Sequence, residues 1–210
     1  MSTRQLILFI VTVLLTIVSG CSFYSAPERT VETLSEDGWS LFQRGKYDAA
    51  LDKFIDATYK DNTSEMGYHG KAWCYLMLNE VINAVENFNL AILKGNRTLD
   101  PKAGLAAAYL AVGSYPEAIQ NAQAVLSGNS HWFFEYEPLI NFQDMRLISA
   151  MAYFHEGQLA TALEQVTYLY PGHNLNPEDP SSWRVNSRLY ASFAEALMAL
   201  IDYLDVQFGM

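Results

Sequence analysis

Between residues 31 and 170 apolar positions recur at helical spacing, in blocks separated by short polar turns. Four of these blocks align on one another: GKYDAALDKFIDA from Gly45, NEVINAVENFNLA from Asn79, GSYPEAIQNAQAV from Gly113 and GQLATALEQVTYL from Gly157. The first two intervals are 34 residues and the third is 44, one period plus a ten-residue insertion. Each block follows a second stretch of helical pattern, in turn LSEDGWSLFQR, YHGKAWCYLML, KAGLAAAYLAV and RLISAMAYFHE. The pattern predicts a row of helix pairs, each repeating the one before it.

Within a period the residue sizes fit two helices packed side by side. A small residue recurs seven positions before the turn, at Gly38, Ala72, Ala106 and Ala150, and another five after it, at Ala50, Ala84, Ala118 and Ala162. Antiparallel helices approach closely only where side chains are small, so these positions mark the crossing in each pair. Large residues fill around it: Leu41, Tyr75, Tyr109 and Tyr153 on the first helix, then Tyr47, Val81, Tyr115 and Leu159 after the turn, with Phe54 and Phe88 four residues beyond their alanines. The turn residue is Gly three times and Asn once, the types that accept the left-handed conformation closing a helix. Asp100-Pro101 reads as an N-cap and first turn, and Ser114 with Glu117 as a capping box.

This spacing of small, aromatic and turn residues at a 34-residue period resembles the tetratricopeptide repeat, over about residues 31–170 and most clearly in the first unit. The third and fourth units depart from that pattern, with Ala122 and Val166 where an aromatic is typical and Val125 and Leu169 where alanine is. The resemblance implies an all-α fold: a helical-hairpin solenoid of about four repeats whose first helices line a concave groove. Carried over by position, the groove residues are Trp39, Phe42 and Gln43; Trp73, Leu76 and Met77; Ala107, Leu110 and Ala111; Met151, Phe154 and His155. Such a surface is largely apolar and suits an amphipathic helix or an extended apolar segment. It lacks the lysines and arginines that a clamp for acidic peptide termini needs.

The insertion, near 129–141, holds Trp132, Phe133, Phe134 and Tyr136 flanked by Glu135 and Glu137. So aromatic a loop is either tucked inside or is itself a second contact site. The groove is accordingly either open to a partner or filled by the protein itself, through this insertion or through the C-terminal helix. Residues 171–182, PGHNLNPEDPSS, carry three prolines and read as a loop. The stretch from Trp183 to Phe208 has helical composition and suits the cap that a terminal repeat requires, so residues 171–210 are expected to form loop and capping helix.

The N-terminus is of a different kind. LILFIVTVLLTIV, Leu6 to Val18, has no charge, and only Arg4 precedes it. At thirteen residues it falls short of the roughly twenty a membrane-spanning helix needs, and it reads as a secretory signal peptide. The ending Val18-Ser19-Gly20-Cys21 resembles the lipobox of bacterial lipoproteins. That resemblance implies cleavage after residue 20, lipid on Cys21, a tether over 21–30, and a position outside the cytoplasmic membrane. Ser22, in place of an aspartate, implies the outer membrane in bacteria that sort lipoproteins by that neighbour. Acyl chains contribute about 0.8 kcal/mol per buried methylene, so the two or more implied by the resemblance hold a protein stably on a bilayer.

Charge and chemistry narrow the function further. The chain has net charge −10, and loss of residues 1–20 removes Arg4 and no acid, leaving −11. That sign argues against nucleic acid as a partner. Cys74 lies in the apolar stretch KAWCYLML and reads as a small buried hydrophobe. His69, His131, His155 and His173 are scattered without metal-ligand spacing, Ser130-His131 has no third partner, and no glycine-rich phosphate loop is present. No catalytic residue, metal or cofactor is expected beyond the lipid on Cys21. The expected function is a lipid-anchored envelope scaffold that binds a partner protein through the groove, in assembly of an outer-membrane, secretion or pilus complex. The alternative is a periplasmic binding protein for a small hydrophobic ligand, working with a transporter.

Overall fold

The computed structural model describes residues 29–208; the expected signal segment 1–20, Cys21 and nearly all of the expected tether 21–30 lie outside that range. Four helix pairs follow one another: α1 (Val31–Phe42) with α2 (Tyr47–Lys60), α3 (Glu65–Met77) with α4 (Val81–Leu93), α5 (Asp100–Ala111) with α6 (Tyr115–Gly128), and α7 (Phe142–His155) with α8 (Leu159–Leu169). Each pair is closed by the same turn. Gly45, Asn79, Gly113 and Gly157 have φ of 69°, 62°, 75° and 73°. The next residue then donates its N–H back to the first helix, Lys46 to Leu41, Glu80 to Tyr75, Ser114 to Tyr109 and Gln158 to Tyr153, at 2.8–3.0 Å. This left-handed closure satisfies carbonyls the helix end would leave unpaired, which is why Gly or Asn stands there.

That turn also governs the start of each second helix. Ser114 is the N-cap residue of α6, but its backbone is held at φ −84°, ψ 69°, and its hydroxyl makes no capping bond. Lys46, Glu80 and Gln158 share that conformation and likewise do not cap. The expected Ser114–Glu117 box is therefore absent. Asp100 is likewise not an N-cap: α5 begins on it, after Leu99, and its carboxylate accepts instead from the Trp132 indole N–H at 2.9 Å. The capping box that does form opens α7. There Asn141 accepts from the Gln143 N–H, and Asp144 accepts from the Asn141 N–H at 2.7 Å.

The small residues at the crossings are all buried. Between pairs, the aromatic of one second helix lies on a glycine of the next first helix. A Cβ added at Gly70 would stand 2.2 Å from the Phe54 ring, and one at Gly104 would stand 2.0 Å from Phe88. At the third step the register places Ala122 opposite Ile148, both buried in the same cluster, so the bulk has moved from one partner to the other.

After α8 a loop leads through a 3-10 turn (Pro180–Ser182) to a small hairpin, β3 (Arg184–Val185) with β4 (Arg188–Leu189). Residues 183–192 are therefore not helical as composition suggested. Asn186 and Ser187, with φ of 49° and 68°, form the left-handed pair that a tight hairpin turn requires. The last helix, α9 (Phe193–Phe208), buries Ala196, Leu197, Leu200, Ile201 and Leu204 in one cluster with Leu147, Ala150, Tyr153 and Val166. No helix among the described residues is long and apolar enough to cross a membrane.

Candidate functional site on the inner face

Successive first helices, α1 with α3, α3 with α5 and α5 with α7, pack on one another, whereas successive second helices make far less contact. The stack therefore curves inward on the first-helix side, and this inner face carries the predicted groove positions.

Half of that face is filled by the chain itself. The insertion is a β-hairpin, β1 (Phe133–Phe134) with β2 (Glu137–Asn141), laid across α1 and α3. Phe134 is 0% exposed and stacks on Trp73, ring centroids 4.1 Å apart at 17°, with its edges against Trp39, Phe42 and His69. Tyr136 stacks on Trp39 at 3.8 Å and 4°. The Trp132 bond to Asp100 pins the start of the hairpin to α5. Trp39, Phe42 and Trp73 are therefore core residues under a lid of aromatic rings, and Trp132 and Phe134 are part of that core. Phe133 is the exception, pointing outward at 57% exposure.

Polar groups beneath the lid are few. His69 accepts from the Trp73 indole N–H at 3.0 Å, and burial pushes its pKa down to about 3, so it is neutral at physiological pH. Burial also pushes the Asp100 carboxyl up, with the Trp132 and Thr98 hydrogen bonds pulling the other way. Cys74 is buried, and its thiol is pushed up to about 12.

Further along the inner face a hollow of about 190 Å³ remains open. Its walls are Ala107, Leu110 and Ala111 of α5, Leu147, Ile148 and Met151 of α7, and two acids, Asp144 of α7 and Asp205 of α9. Asp144 is 2% exposed, and one carboxylate oxygen is taken by the Asn141 N–H while the other, Oδ1, has no hydrogen-bond partner among the described residues. Burial raises its pKa to about 6, the Asn141 and Asp144 N–H groups oppose that rise, and Asp205 adds to it.

The other predicted groove residues are dispersed. Gln43 is exposed, Leu76 half-buried and Met77 37% exposed; Phe154 belongs to the cluster under α9, and His155 stacks on Tyr115 at 4.6 Å. Among the described residues no group of His, Cys, Asp and Glu is arranged to hold a metal ion. The Ser130 hydroxyl meets His131 Nδ1 at 3.1 Å, and the His131 ring also lies beside Phe142, with no acid completing a catalytic set among the described contacts. A larger hollow, about 300 Å³, lies between residues 170–186 and α9, where His173 is committed to structure: Nδ1 accepts from the Leu175 N–H, and Nε2 meets the Thr167 hydroxyl. Asp144 and Asp205 escaped the positional reading because a repeat template names only positions near the small residue. The one sequence cue for Asp144 was its place three residues after Asn141, a capping pattern.

No protein-family model matches the sequence, and no curated protein matches it. Solved structures do. A crystal structure of MamA matches with TM-score 0.55 at 21% identity, over 67% of this chain and 76% of that one. YrrB, described as a TPR protein with an unusual peptide-binding site, matches with TM-score 0.59 at 18% identity, over 83% and 85%. A tetratricopeptide repeat protein from Parabacteroides merdae ATCC 43184 matches with TM-score 0.57 at 18% identity, over 89% and 68%. Together with the fourfold helix-pair period, these likenesses identify the fold as an all-α solenoid of tetratricopeptide type.

Proposed function

We propose that the chain is a lipid-anchored scaffold of the bacterial envelope, tethered through Cys21, that holds a partner protein on the open half of its inner face and so serves in assembly of an outer-membrane, secretion or pilus complex. The observation that carries this reading is the hollow over α5, α7 and α9, where Leu110 and Met151 stay partly exposed while the aromatic half is closed by its own hairpin. An apolar surface bounded by helices accepts an apolar stretch of another chain with little cost of rearrangement. YrrB, with its peptide-binding site, offers a precedent in the same fold. Enclosing a small hydrophobic ligand fits less well, because Phe134 and Tyr136 occupy the aromatic half where such a ligand would sit.

A photocrosslinking residue placed at Leu110 or Met151 of the membrane-anchored protein tests the site. One partner captured from both positions, and none from Tyr59 on α2, is the expected result. Equal capture from all three would locate the contact elsewhere. The tether has its own test: Cys21→Ser should abolish incorporation of labelled palmitate without altering the fold, and continued incorporation would disprove the anchor.

A further inference from the structure

We propose that the hollow between α5, α7 and α9 receives a basic side chain, a lysine or arginine on an otherwise apolar partner segment, with its cationic group held between Asp144 and Asp205. This rests on the reading of the inner face as a partner site and adds the chemistry that selects the partner.

Asp144 presents an unpaired acceptor at the wall of an otherwise apolar hollow. The backbone of Asn141 satisfies Oδ2 but nothing satisfies Oδ1, although the residue is 98% buried. A buried polar atom without a partner costs on the order of 1–3 kcal/mol, and it persists where something external completes it. Asp205 lines the same hollow from α9 and repels the Asp144 charge, so the two acids are mutually unfavourable when the hollow is empty. A cation between them reverses both terms, replacing a missing donor with a charge-assisted hydrogen bond and a repulsion with two attractions.

Among the described residues no lysine or arginine lines the hollow. The remaining wall residues are all apolar. Arg146, two residues from Asp144, is directed instead to Gln165 at 2.7 Å and over the Tyr168 ring at 4.0 Å. A divalent metal is a poor occupant, since it wants six or more oxygens and the hollow supplies two carboxylates among six aliphatic side chains. A lysine or arginine fits: its methylene stem lies along Leu110, Leu147 and Met151 while its head reaches the acids. The overall charge of −10 favours the approach of such a segment.

The test uses the full chain and a library of short peptides, apolar and random except for one fixed central residue that is lysine, arginine, glutamate or norleucine. The wild type should retain the lysine and arginine pools about tenfold more tightly than the norleucine pool and reject the glutamate pool. Asp144→Asn with Asp205→Asn should erase that preference while still binding norleucine peptides. Asp205→Asn alone, on an exposed position, gives a variant whose folding is not in question and should erase part of it. Equal retention of norleucine and lysine pools by the wild type would overturn the cation inference and leave the partner-site reading standing. Retention of no pool at all, with no crosslinks from Leu110 in the envelope, would overturn both.

Discussion

At the scale of single residues, Asp144 links the fold to pH. Its folded pKa of about 6 lies above the ordinary carboxyl value of 3.8, so the native state favours the neutral form. The native chain therefore binds more protons than the unfolded one between those values, and stability falls as pH rises from about 4 to about 6, then levels. Asp205 is the charged group facing it from α9; the α5 wall is apolar. Asp144→Asn keeps an oxygen to accept the Asn141 N–H, and it should raise stability at pH 7 by about 3 kcal/mol and leave it unchanged below pH 4. Denaturant titrations at the two pH values measure this, and an equal effect at both would remove the electrostatic account. Glycine 70 makes a packing prediction. Ala there meets the Phe54 ring at 2.2 Å, so Gly70→Ala should cost about 1–3 kcal/mol, against a gain expected for Gly→Ala in an unobstructed helix. The four left-handed turn residues were legible in the sequence because their chemistry is local. The exchange of bulk between Ala122 and Ile148 was not, because the departure of Ala122 from the repeat pattern makes sense only once its partner 26 residues away is known.

At the scale of elements, the hairpin between α6 and α7 changes what the inner face is. The repeat pattern correctly placed Trp39, Phe42 and Trp73 on the first helices, and it equally allowed them to meet a partner or the chain's own insertion. The two alternatives differ in whether a loop with four aromatic residues returns to the first two repeats, a tertiary fact with no periodic signature. Rings stacked at 3.8–4.1 Å settle it in favour of the insertion. Phe134→Ala should then cost about 3–5 kcal/mol, the usual range for deleting a buried ring, and should change the fluorescence of Trp39 and Trp73 as their neighbour is lost. Trp73→Glu should prevent folding of the first three repeats, since it buries a charge beneath Phe134 and Phe88. Leu110→Glu, on the open hollow, should leave folding intact, and circular dichroism with thermal unfolding separates the two.

At the scale of the whole molecule, a solenoid whose units touch only their neighbours unfolds in pieces, and the hairpin works against that. It ties α1 and α3 to the chain segment entering α7, so the first three pairs share one core, whereas α8 and α9 share another with Leu147, Ala150 and Tyr153 of α7. Two regions of different stability should follow. Leu197 of α9 is fully buried among Leu147, Ala150 and Val166, and Leu197→Asp places a charge in that apolar cluster. The loss should be local. Amide hydrogen exchange should show α8 and α9 losing protection by orders of magnitude while α1 to α5, sealed by Phe134 and Tyr136, keep theirs. In the double variant Leu197→Asp, Phe134→Ala the opening should spread towards α1, because the strap across the inner face is gone. Uniform loss of protection in the single variant would mean that the two cores fold as one unit. It would also mean that Asp205, carried by α9, reports on the stability of the entire array, so that a cation bound between it and Asp144 would stabilise every repeat at once.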